Sequence, residues 1–114
     1  ASGQAMMPGL QAVTDANFDR VVESAGVPVL VGFWRPGCGH CRVLLTELAA
    51  LQAEMADHLL VVTMNVDEQF QIPAELEITS LPALALYRQG GFERFVGGLG
   101  TKDALKKHVM SFGG

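Results

Sequence analysis

The sequence is poor in the features that would mark a disulfide-braced or membrane-spanning protein. Its 114 residues include only two cysteines, three positions apart. No framework of structural disulfides can therefore hold the fold together, and any disulfide is expected to be functional. The longest apolar run, over residues 27–34, contains Pro28 and Gly32 and falls far short of the roughly 20 residues that cross a bilayer. We predict no transmembrane span.

Positive charge is also scarce. Eight Lys and Arg residues stand against twelve Asp and Glu, giving a formal net charge of -4, and the basic residues are scattered along the chain. This distribution gives no electrostatic footprint for a phosphate backbone. We expect neither nucleic acid nor a membrane as a partner. We expect the protein to be a monomer.

Nothing in the first residues resembles a secretory signal, since no basic start is followed by an apolar stretch. Residues 1–9 are expected to be a disordered segment or a remnant of cloning, with a natural start at Met6 or Met7. The predicted compartment is the cytoplasm. The periplasm or the cell exterior is the alternative if a signal peptide has been removed.

The remaining chain alternates between strand and helix patterns. A short strand is predicted at 10–13, and a helix follows that Thr14 or Asp15 caps and Gly26 ends. Residues 28–34 are continuously apolar, which is typical of a central strand buried on both faces. The further elements expected are the longest helix at 38–57, a strand at 59–66, a helix at 68–76, a hairpin of strands at 82–88 and 92–96, and a last helix at 101–112 that Thr101 caps.

This order of elements defines the fold class as α/β. Strands joined by helices require right-handed crossovers and pair in parallel, whereas the hairpin adds an antiparallel strand. We therefore predict a central mixed β-sheet flanked by helices.

The two cysteines form the motif Cys38-Gly39-His40-Cys41 at the start of the longest predicted helix. A helix N-terminus stabilises an anion, so Cys38 is the expected attacking thiolate, and Cys41, one turn inside, the resolving thiol. His40, Arg35 and Arg42 add positive charge that favours the thiolate of Cys38. The motif predicts thiol-disulfide exchange through a Cys38/Cys41 redox disulfide.

A structural zinc half-site is the alternative interpretation of the two cysteines. Tetrahedral zinc needs two further ligands, and besides His40 the sequence offers only His58 and His108, both predicted to lie on distant elements. We predict no metal and no other cofactor.

Taken together, several short motifs resemble the thioredoxin superfamily over about residues 10–112. They occur in family order: Phe33-Trp34, Cys38-Gly39-His40-Cys41, Asn65-Val66-Asp67, Ser80-Leu81-Pro82, Gly90 and Gly97-Gly98. The resemblance implies one thioredoxin-like domain over residues 10–114. It also implies protein disulfide or dithiol substrates, with a reductase or another redox partner.

The same resemblance implies a substrate site around the cysteines. The proline matching Pro82 is cis in that family and packs against the active-site sulfurs, although an ordinary proline at the start of a strand is the plainer interpretation. Trp34 matches a tryptophan beside the active-site loop and is also a core candidate. The implied peptide groove consists of Gly37, Gly39, Leu81, Pro82, Gly97, Gly98 and Leu99.

Four positions depart from the thioredoxin pattern. Gly32 and Thr63 stand where relatives commonly place a buried acid and its lysine partner, so both charges are missing together. Gly37 replaces a tryptophan, and Thr46 replaces a proline that kinks the long helix. We predict that proton transfer at Cys41 depends on water or another carboxylate and that turnover is slower than in relatives with the buried acid.

The direction of electron transfer remains open at this point. The Gly-His pair between the cysteines looks like protein disulfide isomerase domains, which suggests an oxidant, whereas the predicted cytoplasm favours a reductant. The alternative function is a redox-weak thioredoxin-like module that binds or chaperones one protein client. Retention of both cysteines favours the enzyme.

Overall fold

A five-stranded sheet organises the protein in the computed structural model, which describes residues 10–96. Strands and helices alternate as predicted. Their order is β1 (Gln11–Ala12), α1 (Phe18–Ser24), β2 (Val29–Trp34), α2 (Gly39–Glu54), β3 (Leu60–Asn65), α3 (Gln71–Glu75), β4 (Ala83–Arg88) and β5 (Gly91–Val96). The helix predicted at 101–112 lies outside the described residues. No helix in the described part of the chain has the length and apolarity to span a bilayer.

Strand β2 occupies the centre of the sheet, whose order is β1-β3-β2-β4-β5. It pairs in parallel with β3, which in turn pairs in parallel with β1. Its other neighbour, β4, is antiparallel, and so is the β4–β5 pair. The mixed sheet and the central position of the apolar strand are thereby confirmed.

Each face of the sheet is covered by its own helices. Helix α2 packs an apolar stripe, Leu44, Leu48 and Leu51, onto one face. Helices α1 and α3 cover the other face through Phe18 and Ile72 among others. Two cores on opposite sides of one sheet are the expected outcome for an α/β fold.

The single tyrosine lies in the second core. Phe18 and Phe92 contact the Tyr87 ring edge to face, at centroid distances of 5.1 and 5.7 Å. Burial, followed by the negative charges of Glu75 and Asp19, raises the pKa of Tyr87 to about 12. Tyr87 therefore acts as an uncharged core aromatic at physiological pH.

The β4–β5 hairpin turns through two residues with left-handed backbone angles. Gln89 has φ 53° and Gly90 φ 83°, which is the conformation of a type I′ turn. Gly90 also lies close to Glu23 of α1, where an added Cβ would come within 3.0 Å of the Glu23 Cγ atom. The predicted hairpin is confirmed, with β5 starting one residue early at Gly91.

The predicted cap of α1 is wrong. The helix starts at Phe18 after Asn17, whose side chain makes no capping bond. Instead, the Thr14 N–H donates to Asn17 Oδ1 at 2.8 Å, and the Asn17 N–H donates to Thr14 Oγ1 at 3.2 Å. The predicted end is confirmed, because Gly26 follows the last turn with φ 73°.

Asp15, the other predicted cap, serves a different helix. Its carboxylate accepts backbone N–H bonds from Phe70, Gln71 and Ile72 at 2.8 to 2.9 Å, at the start of α3. Partial burial raises the pKa of Asp15, but the three donors outweigh it and hold this pKa below its ordinary value. Asp15 thus ties the first loop of the chain to an element more than 50 residues away.

Candidate active site

The site begins with a tight turn at the carboxyl end of β2. The Cys38 N–H donates to the Arg35 carbonyl at 3.4 Å, and Gly37 has φ 85°. Proline in the second position and a left-handed glycine in the third are the residues that a type II turn requires. The sequence Arg35-Pro36-Gly37 therefore ends the strand and delivers Cys38 directly to the start of α2.

Cys38 is the N-cap of α2 and forms a disulfide with Cys41. The Cα atoms of the two residues are 5.2 Å apart. The Cys41 N–H donates to Cys38 Sγ at 3.1 Å, so a free backbone donor of the helix start points at this sulfur. Cys38 is partly exposed, whereas Cys41 is 1% exposed. The two sulfurs thus differ in accessibility as the sequence predicts.

Two arginines and a histidine lie at the turn and in the first turn of α2. Arg35 Nε lies 3.5 Å from Asp67 Oδ1, and both side chains are about half exposed, so solvent screens this pair. His40 and Arg42 lie in the first turn of α2 and are exposed. Asp67 thus partly balances the charge of Arg35, and the prediction that Arg35 favours the Cys38 thiolate did not include this carboxylate.

The loop after β3 lies beside the active-site turn. The Val66 N–H donates to the Trp34 carbonyl at 2.9 Å, and the Asp67 N–H donates to Asn65 Oδ1 at 2.9 Å. Sequence reasoning noted Asn65-Val66-Asp67 only as a family motif and missed the ion pair with Arg35. The signal available was the parallel pairing of β2 with β3, which brings their carboxyl ends together.

The peptide bond between Leu81 and Pro82 is cis. Ala83 pairs with Phe33, so Pro82 lies at the end of the sheet where β2 passes into the active-site turn. Leu81 and Pro82 are partly buried, whereas Gly37 and Gly39 are exposed. Gly97, Gly98 and Leu99 lie outside the described residues.

Trp34 is the last residue of β2 and is half-buried. It packs against the core beneath α2 and also borders the cavity beside the two cysteines. The Trp34 side chain thus has both positions that the sequence suggested: it is part of the core and it lies beside the active-site loop.

Within residues 10–96, no charged pair is buried at the positions of Gly32 and Thr63. Gly32 and Thr63 are direct neighbours on β2 and β3, and both are buried. Leu48 of α2 fills the space above Gly32: an added Cβ would stand 2.8 Å from its Cδ1 atom. Among the described residues, Thr63 Oγ1 is buried without a hydrogen-bond partner. Leu48 therefore occupies the space that a side chain at position 32 would need.

The described residues contain no group of three or more His, Cys, Asp or Glu side chains arranged to hold a metal ion. His58 lies in the exposed loop between α2 and β3, at the opposite end of α2 from the cysteines. His108 falls outside the described part of the chain.

A mixed sheet in this order, a Cys-X-X-Cys disulfide at a helix start and a cis-proline before β4 define a thioredoxin fold with a redox-active pair. Comparison with known proteins agrees. The family model described as Thioredoxin matches residues 9–111.

Individual thioredoxins are similar over most of this chain. The thioredoxin of Porphyra purpurea is 40% identical over 100 residues, covering 88% of this chain and 94% of its own. That of Rickettsia prowazekii is 34% identical over 93 residues, covering 82% and 89%. That of Haemophilus influenzae is 37% identical over 78 residues, covering 68% and 73%. The chain belongs to the thioredoxin family and is a thiol-disulfide oxidoreductase.

Proposed function

We propose that this protein exchanges disulfides with protein substrates, with Cys38 as the attacking thiol and Cys41 as the resolving thiol. The observation that carries the assignment is the difference in burial between the two sulfurs at one helix start. Cys38 caps α2 and is partly exposed, whereas Cys41 is 1% exposed. Only an accessible thiolate can reach a substrate disulfide.

The reaction balances over two displacements. In the reduced protein, the Cys38 thiolate attacks one sulfur of a substrate disulfide, and the other sulfur leaves as a thiolate. Cys41 then loses its proton and attacks Cys38 Sγ, which releases the second substrate thiolate. The substrate gains two electrons and two protons, and the protein is left with the Cys38–Cys41 disulfide.

A groove beside the sulfurs is proposed to hold the substrate chain. The cis-proline Pro82 and Leu81 would form one wall and the exposed Gly37 and Gly39 the other. An extended peptide could then pair with the backbone of Leu81. The position of Pro82, at the same sheet end as Trp34, supports this arrangement.

We propose reduction of substrates as the main direction, with the cytoplasm as compartment and the protein acting as a monomer. The names of the similar proteins, all thioredoxins, support this direction. His40, between the cysteines, argues for a less reducing couple than the Gly-Pro pair that the family pattern usually has there. A reductase or another dithiol must then return two electrons to the disulfide. Equilibration with glutathione decides the direction, since a reductant requires a potential near about -270 mV and an oxidant about -180 mV or higher.

The roles of the two cysteines are tested by single substitutions. Cys38→Ser should reduce the rate of insulin reduction by dithiothreitol to that of dithiothreitol alone. Cys41→Ser should instead accumulate a mixed disulfide through Cys38, because the resolving thiol is missing; mass spectrometry identifies the bond. A mixed disulfide at Cys41 in Cys38→Ser would reverse the assignment. Thr79→Ser, an exposed conservative change, serves as a control.

Slow proton transfer at Cys41 is a second part of the proposal. Because Leu48 fills the place of the buried acid, the informative variant is Gly32→Asp combined with Leu48→Ala, compared with Leu48→Ala alone. The carboxylate should raise the rate of mixed-disulfide resolution by about tenfold or more. Equal rates in the two variants would show that proton transfer at Cys41 is not limiting.

A further inference from the structure

A cavity of about 430 Å³ lies beside the redox disulfide, between α2 and the turn that follows β2. This volume is within the range of roughly 300 to 1,000 Å³ that holds small ligands. Both Cys38 and Cys41 border it. Its apolar wall is built by Leu10, Trp34, Pro36, Leu45 and Ala49. A group attached to Cys38 through a mixed disulfide would therefore begin at the edge of an apolar cavity.

The cavity adjoins the proposed peptide groove at Gly37 but extends to the other side of β2. Leu10, which immediately precedes β1, borders it, and β1 lies on the β3 side of the central strand. Pro82 precedes β4 on the other side of β2. No residue of β4, and neither Leu81 nor Pro82, lines the cavity. A substrate chain bound at Cys38 can thus place one flank in the groove and a side chain from the other flank in the cavity.

Two positions that depart from the family pattern border the cavity. Gly37 borders it without a side chain. Thr46 also borders it, but its hydroxyl is turned back to donate to the Arg42 carbonyl at 3.2 Å. A tryptophan at position 37 or a larger side chain at position 46 would project bulk toward this space.

The rim of the cavity is cationic in an otherwise acidic protein. Arg35 and Arg42 both border it, whereas the whole chain carries a net charge of -4. Arg35 forms an ion pair with Asp67, whereas Arg42 forms no ion pair within residues 10–96. Its guanidinium is therefore available to a carboxylate of a bound molecule, which the protein's overall charge would otherwise repel.

We propose that this cavity is a specificity site for the protein substrate: it takes an apolar side chain next to the substrate's reacting cysteine, with an acidic residue beside it pairing with Arg42. The inference rests on the proposed role of Cys38. Its physical basis is the removal of an apolar side chain from water close to the reacting sulfur, together with charge complementarity at the rim.

The test compares two peptides in single turnover with the reduced protein. Each substrate is a symmetric disulfide of two copies of one peptide, so whichever sulfur Cys38 attacks carries the same side chains, and the second copy leaves as a thiolate. In one peptide Leu and Glu flank the cysteine on both sides, and in the other Ser and Lys do. Mass spectrometry follows the reaction. We expect the wild type to react about tenfold faster with the Leu/Glu peptide, the discrimination that a few buried methylenes provide.

Two variants test the cavity itself. Thr46→Phe fills it and Arg42→Glu reverses its rim charge, so each should reduce the rate ratio of the two peptides toward one. Ala50→Phe is the matched control, because Ala50 is exposed on the same helix and does not line the cavity. It should keep the ratio of the wild type. Circular dichroism checks folding, and if Thr46→Phe does not fold, Ala49→Leu replaces it.

The outcomes separate the two proposals. If neither peptide reacts with the wild type, the proposed role of Cys38 fails. If both react at equal rates, or if the filled variant keeps the full ratio, Cys38 stands and the specificity site is overturned. Equal peptide rates combined with inhibition by octanoate would identify a site for small apolar acids instead, which also overturns the proposal.

Discussion

Two helix starts in this protein use the same physical device for opposite purposes. At α2, the Cys41 N–H donates to the sulfur of the N-cap residue, Cys38. At α3, three backbone N–H groups donate to the carboxylate of Asp15, which comes from the first loop of the chain. Unpaired N–H groups at a helix start favour an anion in both places.

What differs is the origin and the chemistry of the acceptor. Asp15 is ionised at neutral pH and comes from a distant part of the chain, so its hydrogen bonds connect two elements and stabilise the fold. Cys38 belongs to the helix that it caps, and its sulfur is accessible, so the same stabilisation of negative charge favours a reactive thiolate. The proposed reactivity of Cys38 thus follows from placing an ionisable sulfur, rather than a carboxylate, at a helix start near solvent.

The largest effect is expected when both helix starts carry a carboxylate, as they do in the variant Cys38→Asp. Cys38→Asp should abolish insulin reduction completely, because no nucleophilic sulfur remains at the exposed position. Its folded state should nevertheless be about 1 kcal/mol more stable than that of Cys38→Ala, since aspartate is a good N-cap and alanine a poor one. Urea unfolding under reducing conditions measures the difference. Equal stabilities would mean that the N-cap side chain of α2 contributes nothing to the fold.

The reciprocal change removes the carboxylate at α3. Asp15→Ala should reduce the free energy of unfolding by about 1 to 2 kcal/mol, the effect of losing an N-cap that serves several N–H donors. The rate of insulin reduction should stay that of the wild type, because the Asp15 carboxylate bonds to α3, which packs on the face of the sheet opposite α2. Asp57→Ala, at an exposed loop aspartate, is the control and should change neither quantity. Impaired activity in Asp15→Ala would show that the two helix starts are coupled.

The smallest expected effect concerns pH. The pKa of Asp15 is lower in the folded protein than the ordinary value of 3.8. Its charge therefore stabilises the fold above about pH 4, and this contribution is lost as the pH falls through the folded-state pKa. Asp15→Asn keeps an N-cap oxygen but removes the charge, so its stability deficit should shrink between pH 5 and about pH 3. A deficit independent of pH would assign the effect to geometry and not to charge.

Local patterns predicted most of the fold. The continuous apolar run identified β2 as central, and the Pro36-Gly37 and Gln89-Gly90 pairs marked their turns, because these features depend on neighbouring residues only. The predicted cap of α1 was wrong because it depends on residues that are far apart in sequence. Asp15 looks like a local cap, but its carboxylate is used by α3, whose distance in sequence no local pattern reveals.

At the site, too, the sequence predicted some features and missed others. Two cysteines separated by two residues at a helix start predicted the disulfide and the difference in burial between the sulfurs. The ion pair between Arg35 and Asp67 was missed, and so was the cavity beside the disulfide. The ion pair joins the turn after β2 to the loop after β3, and the cavity forms where Leu10 lies beside the active-site turn and α2.

Gly32 shows where sequence reasoning stops. The sequence indicated a missing acid, but only the packed structure shows that Leu48 occupies the space and that any side chain at position 32 must displace it. The sequence by itself determined the class of fold and the redox pair, because hydrophobic periodicity, turn residues and the cysteine spacing act over a few residues. The tertiary structure decided which helix Asp15 caps, what Arg35 pairs with and where a cavity lies, because these depend on which distant segments the folded sheet brings into contact.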